Sequence, residues 1–179
     1  MTSSQQHDPG AFALALNAQV GNELATEAQF LAFAVHYDQS TLPRLAQFFY
    51  ERAHMHRRNA LRMIRFLVKT STVTIGSVPS PRTTFEDLVS PIALAVEQSA
   101  TKSEQLSHLV EFARADSNYA AEIFLQWFIG QHYLASASLS ELLAVVTRSA
   151  AQVGDVEEYV AREFSAVVDE PGAPRLAGG

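Results

Sequence analysis

The sequence predicts an all-α fold, a four-helix bundle with a short fifth helix. Three observations carry it. Apolar residues recur at three-to-four spacing over long stretches, as on the buried face of a helix. A single segment, 71–84 (STVTIGSVPSPRTT), breaks that pattern and lies between two pairs of helical runs. The breaks inside each pair are short, which makes each pair an antiparallel hairpin. A structureless stretch of this length is uncommon in a compact domain. A crossover running the length of a bundle accounts for it.

The first run begins at Gly10, with Phe12, Leu16, Val20, Leu24, Leu31 and Val35 in helical register, and ends near Asp38–Ser40. Pro43 suits the first turn of the second helix, which continues through Leu45, Phe48, Met63 and Leu67 to about Lys69. At about 1.5 Å per residue, each of these helices is about 40 Å long. The third is expected from Phe85 to Arg114, with a mild interruption at Ser90-Pro91. Asp116-Ser117-Asn118 supplies turn and cap chemistry, and the fourth runs from Tyr119 to about Ala150. Gly154-Asp155 opens the fifth, 156–167, whose apolar Val156, Tyr159, Val160, Phe164 and Val167 are expected to need a neighbouring subunit for burial. The domain is therefore 10–168, with a flexible N-terminus at 1–9 and a flexible C-terminal tail at 169–179.

Composition narrows function by exclusion. The 179 residues suffice for one domain with a sizeable core; 47% are hydrophobic and 18% charged. A net charge of −6 disfavours nucleic acid and anionic membrane surfaces as partners. The absence of cysteine removes disulfides, thiolate catalysis and cysteine-ligated metals. No apolar run approaches the ~20 residues of a membrane span, and the start MTSSQQHDPG lacks signal-peptide character. A cytoplasmic location is the expectation.

The densest polar stretch is YERAHMHRRNA, Tyr50–Ala60, in the middle of the second helix. His56 and Asn59 share one helix face at i, i+3, the spacing that di-iron bundles use for Glu-x-x-His.

Val20-Gly21-Asn22-Glu23-Leu24, Ala34-Val35-His36-Tyr37, Leu42-Pro43-Arg44-Leu45-Ala46, Phe48-Phe49-Tyr50, Gln126-Trp127-Phe128 and Glu158-Tyr159-Val160-Ala161-Arg162-Glu163 resemble, in order and separation, the bacterial non-haem ferritins, above all the actinobacterial ones. The resemblance spans essentially the whole chain. It implies a ferritin-like bundle, iron storage, and a homo-oligomeric shell of twenty-four subunits, either of this chain alone or mixed with an active ferritin.

Family chemistry is then carried over position by position. The first-helix glutamate is present as Glu23. The second-helix Glu-x-x-His falls on His56 and Asn59, the third-helix glutamate on Ser99, and the fourth-helix pair on His132 and Ala135. The neighbouring tyrosine falls on Phe30. An ordinary di-iron centre uses about four carboxylates, and one remains. The resemblance thus implies a degenerate ferroxidase centre with absent or weak activity. The haem methionine position falls near Arg57, with Met55 displaced by two residues, so no haem is expected.

Glu23, His56 and His132 come from three helices and are expected to meet in the bundle middle. One carboxylate with two imidazoles suits a mononuclear metal such as iron. A buried Glu–His hydrogen bond explains the same residues without metal. Glu27, one turn on from Glu23, is a candidate fourth ligand or a partner for Arg52. His54 and Arg57–Arg58 belong on a solvated or subunit-facing side, Trp127 on a packing face, and His36 at a helix end. Glu97, Glu104, Glu111 and Glu122 are candidates for mineral nucleation on an inner wall. Three functions stay open: a structural or nucleating shell subunit, a metalloprotein built on Glu23, His56 and His132, and a metal-free interaction scaffold.

Overall fold

The computed structural model describes residues 10–149, 152–164 and 170–178. Its helices are α1 (Ala11–Gln39), α2 (Pro43–Thr70), α3 (Ser90–Ala115), α4 (Tyr119–Ser149) and α5 (Val153–Glu163). Val167, assigned to the fifth helix from sequence, lies outside the described residues. No helix among the described residues is long and apolar enough to cross a membrane.

Both hairpins turn in the same way. Leu42 N–H donates to the Tyr37 carbonyl at 3.0 Å and Asn118 N–H to that of Ala113 at 2.8 Å, closing each helix C-terminus. The residue before each donor is left-handed, Thr41 at φ 60° and Ser117 at φ 52°. Glycine is the usual occupant there, and an L side chain costs about 1–2 kcal/mol. Asn118 then caps α4, its Oδ1 accepting from Ala121 N–H at 3.0 Å.

The crossover returns the chain to the end where α1 finishes, which makes α2 and α3 parallel. Three α1 side chains bind it along the way. Asn17 holds the Thr72 carbonyl and the Thr74 N–H, at 2.9 and 2.7 Å. Gln29 exchanges two 2.8 Å bonds with the Arg82 backbone, and Tyr37 donates to the Leu88 carbonyl at 2.8 Å. The amide groups of an irregular strand thereby gain partners that a helix would supply internally.

Two expectations are corrected. The third helix begins at Ser90 rather than Phe85. Pro91 lacks a donor and is suited to a first turn, while the Asp87 carboxylate takes the Val89 and Ser90 amides at 2.9 and 2.6 Å. The fifth helix buries part of its stripe within the subunit: Val156 and Val160 join the core, and Phe164, half-buried, packs on Phe48 at 4.9 Å. Its Glu157 carboxylate accepts from Arg44 and Leu45 N–H, both at 2.9 Å, and so caps α2 from outside that helix.

The core is divided in two. One half gathers Phe30, Phe33, Tyr37, Phe49, Ile92, Leu142 and Val156 around the α1–α2 turn. The other gathers Phe12, Leu16, Met63, Leu67, Leu109 and Leu125 around the α3–α4 turn. Between them lie buried polar side chains: Gln19, Glu23, His56, Asn59, Ser99 and Lys102. Tail residues run back along α2. Arg62 Nε donates to the Pro174 carbonyl at 3.0 Å, and Ala177 N–H to that of Leu61 at 3.2 Å.

Candidate functional site: a buried ion cluster between the half-cores

Glu23, on α1, is 1% exposed, and its carboxylate needs a counter-charge at that depth. Two elements supply partners. From α2, His56 Nδ1 lies 2.7 Å from Oε2. From α3, Lys102 Nζ lies 2.6 Å from Oε1. Gln19 adds a 3.3 Å bond to Oε1, and Asn59 Nδ2 is 3.5 Å from Oε2.

Local sequence explains how each partner arrives. Gln19 sits one turn before Glu23 on the same face of α1, and His56 and Asn59 share a face of α2. On α3, Ala95, Ser99, Lys102 and Leu106 form the inward stripe, at i, i+4, i+7 and i+11. Ser99 is small, which leaves room for the four-carbon stem of Lys102 to carry its ammonium inward.

Burial pushes the Glu23 carboxyl up, and the Lys102 ammonium and His56 imidazole outweigh it, holding the carboxyl well below its ordinary range. Burial and the Lys102 charge push His56 down against the pull of Glu23. A neutral His56 then donates its Nδ1–H to Glu23. The cluster carries one fixed positive and one fixed negative charge.

The other expected ligands diverge. His132 lines the same small cavity, of about 30 Å³, but its Nε2 bonds Ser103 Oγ at 2.8 Å. Burial and the Lys102 charge push its ring down to about 4. Glu27 faces Arg57 on α2 at 3.0 Å, not Arg52 and not the cluster. Ser99 and Ala135 line the cavity without offering a carboxylate. Among the described residues no group of three or more His, Asp or Glu side chains could hold a metal ion. Within this cluster the ammonium of Lys102 stands against the carboxylate of Glu23.

The family's ferritin-like domain matches residues 13–149. The chain belongs to the ferritin family. Ferritin BfrB of Mycolicibacterium smegmatis is 33% identical over 180 residues, covering 100% of this chain and 99% of that protein. Bacterioferritin BfrB of Mycobacterium tuberculosis is 32% identical over 165 residues, covering 92% and 91%. Among solved structures, an open-pore ferritin from Archaeoglobus fulgidus superposes with a TM-score of 0.80 at 18% identity, covering 84% of this chain and 94% of that one. At that identity the match speaks for the fold: a ferritin four-helix bundle with a short fifth helix.

Sequence reasoning missed Lys102. The available signal was a lysine in phase with Ala95, Ser99 and Leu106 on an otherwise small and apolar stripe. It also missed the tail's part in the same network. Asn59 Oδ1 accepts from buried Arg62 at 3.3 Å, and Arg62 pairs with Glu170 at 2.6 Å. Glu170 also holds Arg58 at 3.3 Å, while the Arg62 guanidinium lies 4.5 Å from the Trp127 ring. Trp127 packs on Phe128 and gives its indole N–H to the Pro171 carbonyl at 3.3 Å. His108, without a partner from sequence, meets Glu111 at 3.1 Å, and His36 packs on Phe85.

Proposed function

We propose that this chain is a non-oxidising ferritin subunit, a wall component of an iron-storage shell whose ferroxidase centre is degenerate. The observation that carries the proposal is the 2.6 Å pair of Lys102 Nζ and Glu23 Oε1. A fixed ammonium supplies, within the fold, the positive charge that iron would otherwise bring to that carboxylate. A metal ion approaching Glu23 meets that charge at close range in a low-dielectric layer, where like charges repel strongly. The same repulsion counts against a mononuclear centre on Glu23, His56 and His132. No haem is part of the proposal; iron is cargo.

The proposed assembly is a homo-oligomeric shell in the cytoplasm, of twenty-four subunits or mixed with an active ferritin. Support comes from apolar side chains that a lone subunit leaves bare, among them Leu14 at 58% and Ile123 at 69% exposed. Mineral would grow on wall carboxylates; Glu97 and Glu104 remain the candidates without an ion-pair partner among the described residues.

The test is anaerobic Fe(II) loading followed by exposure to air, read as the initial oxidation rate per subunit. Slow mineral growth without a fast phase is expected. Oxidation of about two Fe(II) per subunit within seconds, the behaviour of an intact di-iron site, overturns the proposal. Removing the ammonium and restoring the carboxylates, with Lys102→Ala, His56→Glu, Asn59→His, Ser99→Glu and Ala135→Glu together, is expected to create a fast phase.

A further inference from the structure

Toward the α3–α4 turn, α2 and α4 meet through Phe66 on Phe124 at 4.4 Å and Arg62 on Trp127 at 4.5 Å. Nearer the middle of the bundle the two helices part. The gap forms a cleft of about 300 Å³, whose walls include Glu51, Arg52, His54, Met55, Arg58, Gln131, Leu134 and Ala135. Four of these, Arg52, Met55, Gln131 and Ala135, also line the small cavity beside His56, so the cleft floor adjoins the polar layer.

The cations around this cleft are matched, with one exception. Lys102 has Glu23, Arg57 has Glu27, and Arg58 and Arg62 share Glu170. Arg52 has no hydrogen bond or ion pair among the described residues. Glu51, on the cleft wall, acts on it through space only, being exposed and bonded to Gln47 at 3.0 Å. The Arg52 guanidinium lies over the Phe48 ring at 3.6 Å, and its Nε is sealed from solvent with no acceptor. Arg58 Nε is sealed and unpartnered as well. Burial brings the Arg52 guanidinium down to about 10, so it stays cationic at neutral pH. A planar guanidinium fixed on a ring, with free donors, is shaped for bidentate contact with a carboxylate. The walls beyond it are Met55, Leu134 and Ala135, which offer hydrocarbon.

We propose that the α2–α4 cleft is a binding site for a small aliphatic carboxylate, its anionic head on Arg52 and its chain along Met55, Leu134 and Ala135. One guanidinium without an ion pair, with the exposed Glu51 carboxylate beside it and hydrocarbon walls beyond, matches a single negative charge with a hydrocarbon body better than it matches the higher charge of phosphate. The site adjoins the polar layer at Ala135, and the proposal does not depend on whether the chain oxidises iron.

Isothermal titration of the full-length protein with octanoate tests this, with octan-1-ol and inorganic phosphate as comparators. Saturable octanoate binding near one per subunit is expected, with both comparators at least about tenfold weaker. Arg52→Met is expected to weaken octanoate about tenfold or more, because the head loses its counter-charge. Leu134→Glu, at a side chain 61% exposed and therefore tolerant of change, is expected to do the same by repelling the anion. If Arg52→Met fails to fold, the Leu134→Glu result decides. Absence of saturation at millimolar octanoate, equal binding of octan-1-ol, preference for phosphate, or unchanged binding in Leu134→Glu each overturns the proposal.

Discussion

Replacing Lys102 by methionine keeps most of the stem and removes only the ammonium. In the wild type, burial of the Glu23 carboxylate is offset by two partners at 2.6 and 2.7 Å. Without the lysine, a group 1% exposed retains only a neutral imidazole and two weak amide contacts. Removing one partner of a buried ion pair costs about 3–5 kcal/mol. A large part of a domain's usual stability of about 5–15 kcal/mol is then lost at neutral pH.

The pH dependence reverses with it. In the wild type the folded carboxyl titrates below its unfolded value of about 4.3, so its contribution is complete above that pH and disappears on acidification. In Lys102→Met, burial dominates and the folded carboxyl titrates above the unfolded value. That variant is expected to gain stability as pH falls through its raised folded value toward the unfolded value of about 4.3. The double variant Glu23→Gln/Lys102→Met removes both charges and is expected to recover most of the loss. Denaturant unfolding followed by the fluorescence of Trp127, the one tryptophan, measures these proteins and the Glu23→Gln single variant across pH. A loss under about 1 kcal/mol for Lys102→Met, or additive effects in the double variant, refutes the argument that this pair holds the polar layer together.

Glu157→Gln weakens the external cap of α2 and is expected to cost about 0.5–2 kcal/mol by thermal unfolding; an unchanged midpoint would show that the two amides find other partners. Glu170→Gln leaves buried Arg62 without its carboxylate and is expected to raise hydrogen exchange along the Arg58–Arg65 turn of α2 and to shift Trp127 emission. Light scattering is expected to show a species far larger than the 19.6 kDa subunit, and a monomer at micromolar concentration would remove the shell from the proposed function.

The sequence by itself determined the architecture. Helical periodicity, Pro43, the turn at Asp116–Asn118 and the break at 71–84 are local features, and each is expressed in the backbone where it stands. It also determined what the candidate site lacks, since no packing can put a carboxylate at Ser99 or Ala135. The tertiary structure decided what stands there instead. A lysine on a helix looks the same from sequence whether its flexible stem reaches water or a buried glutamate, and only the juxtaposition of α1 with α3 brings Lys102 to Glu23. The same holds for Glu157 and Glu170, each more than 100 positions along the chain from its partners. Their contacts follow from which helix faces lie side by side. His132 shows the limit in the other direction: its position predicts an inward face, yet with Lys102 already holding Glu23 its ring hydrogen-bonds to Ser103.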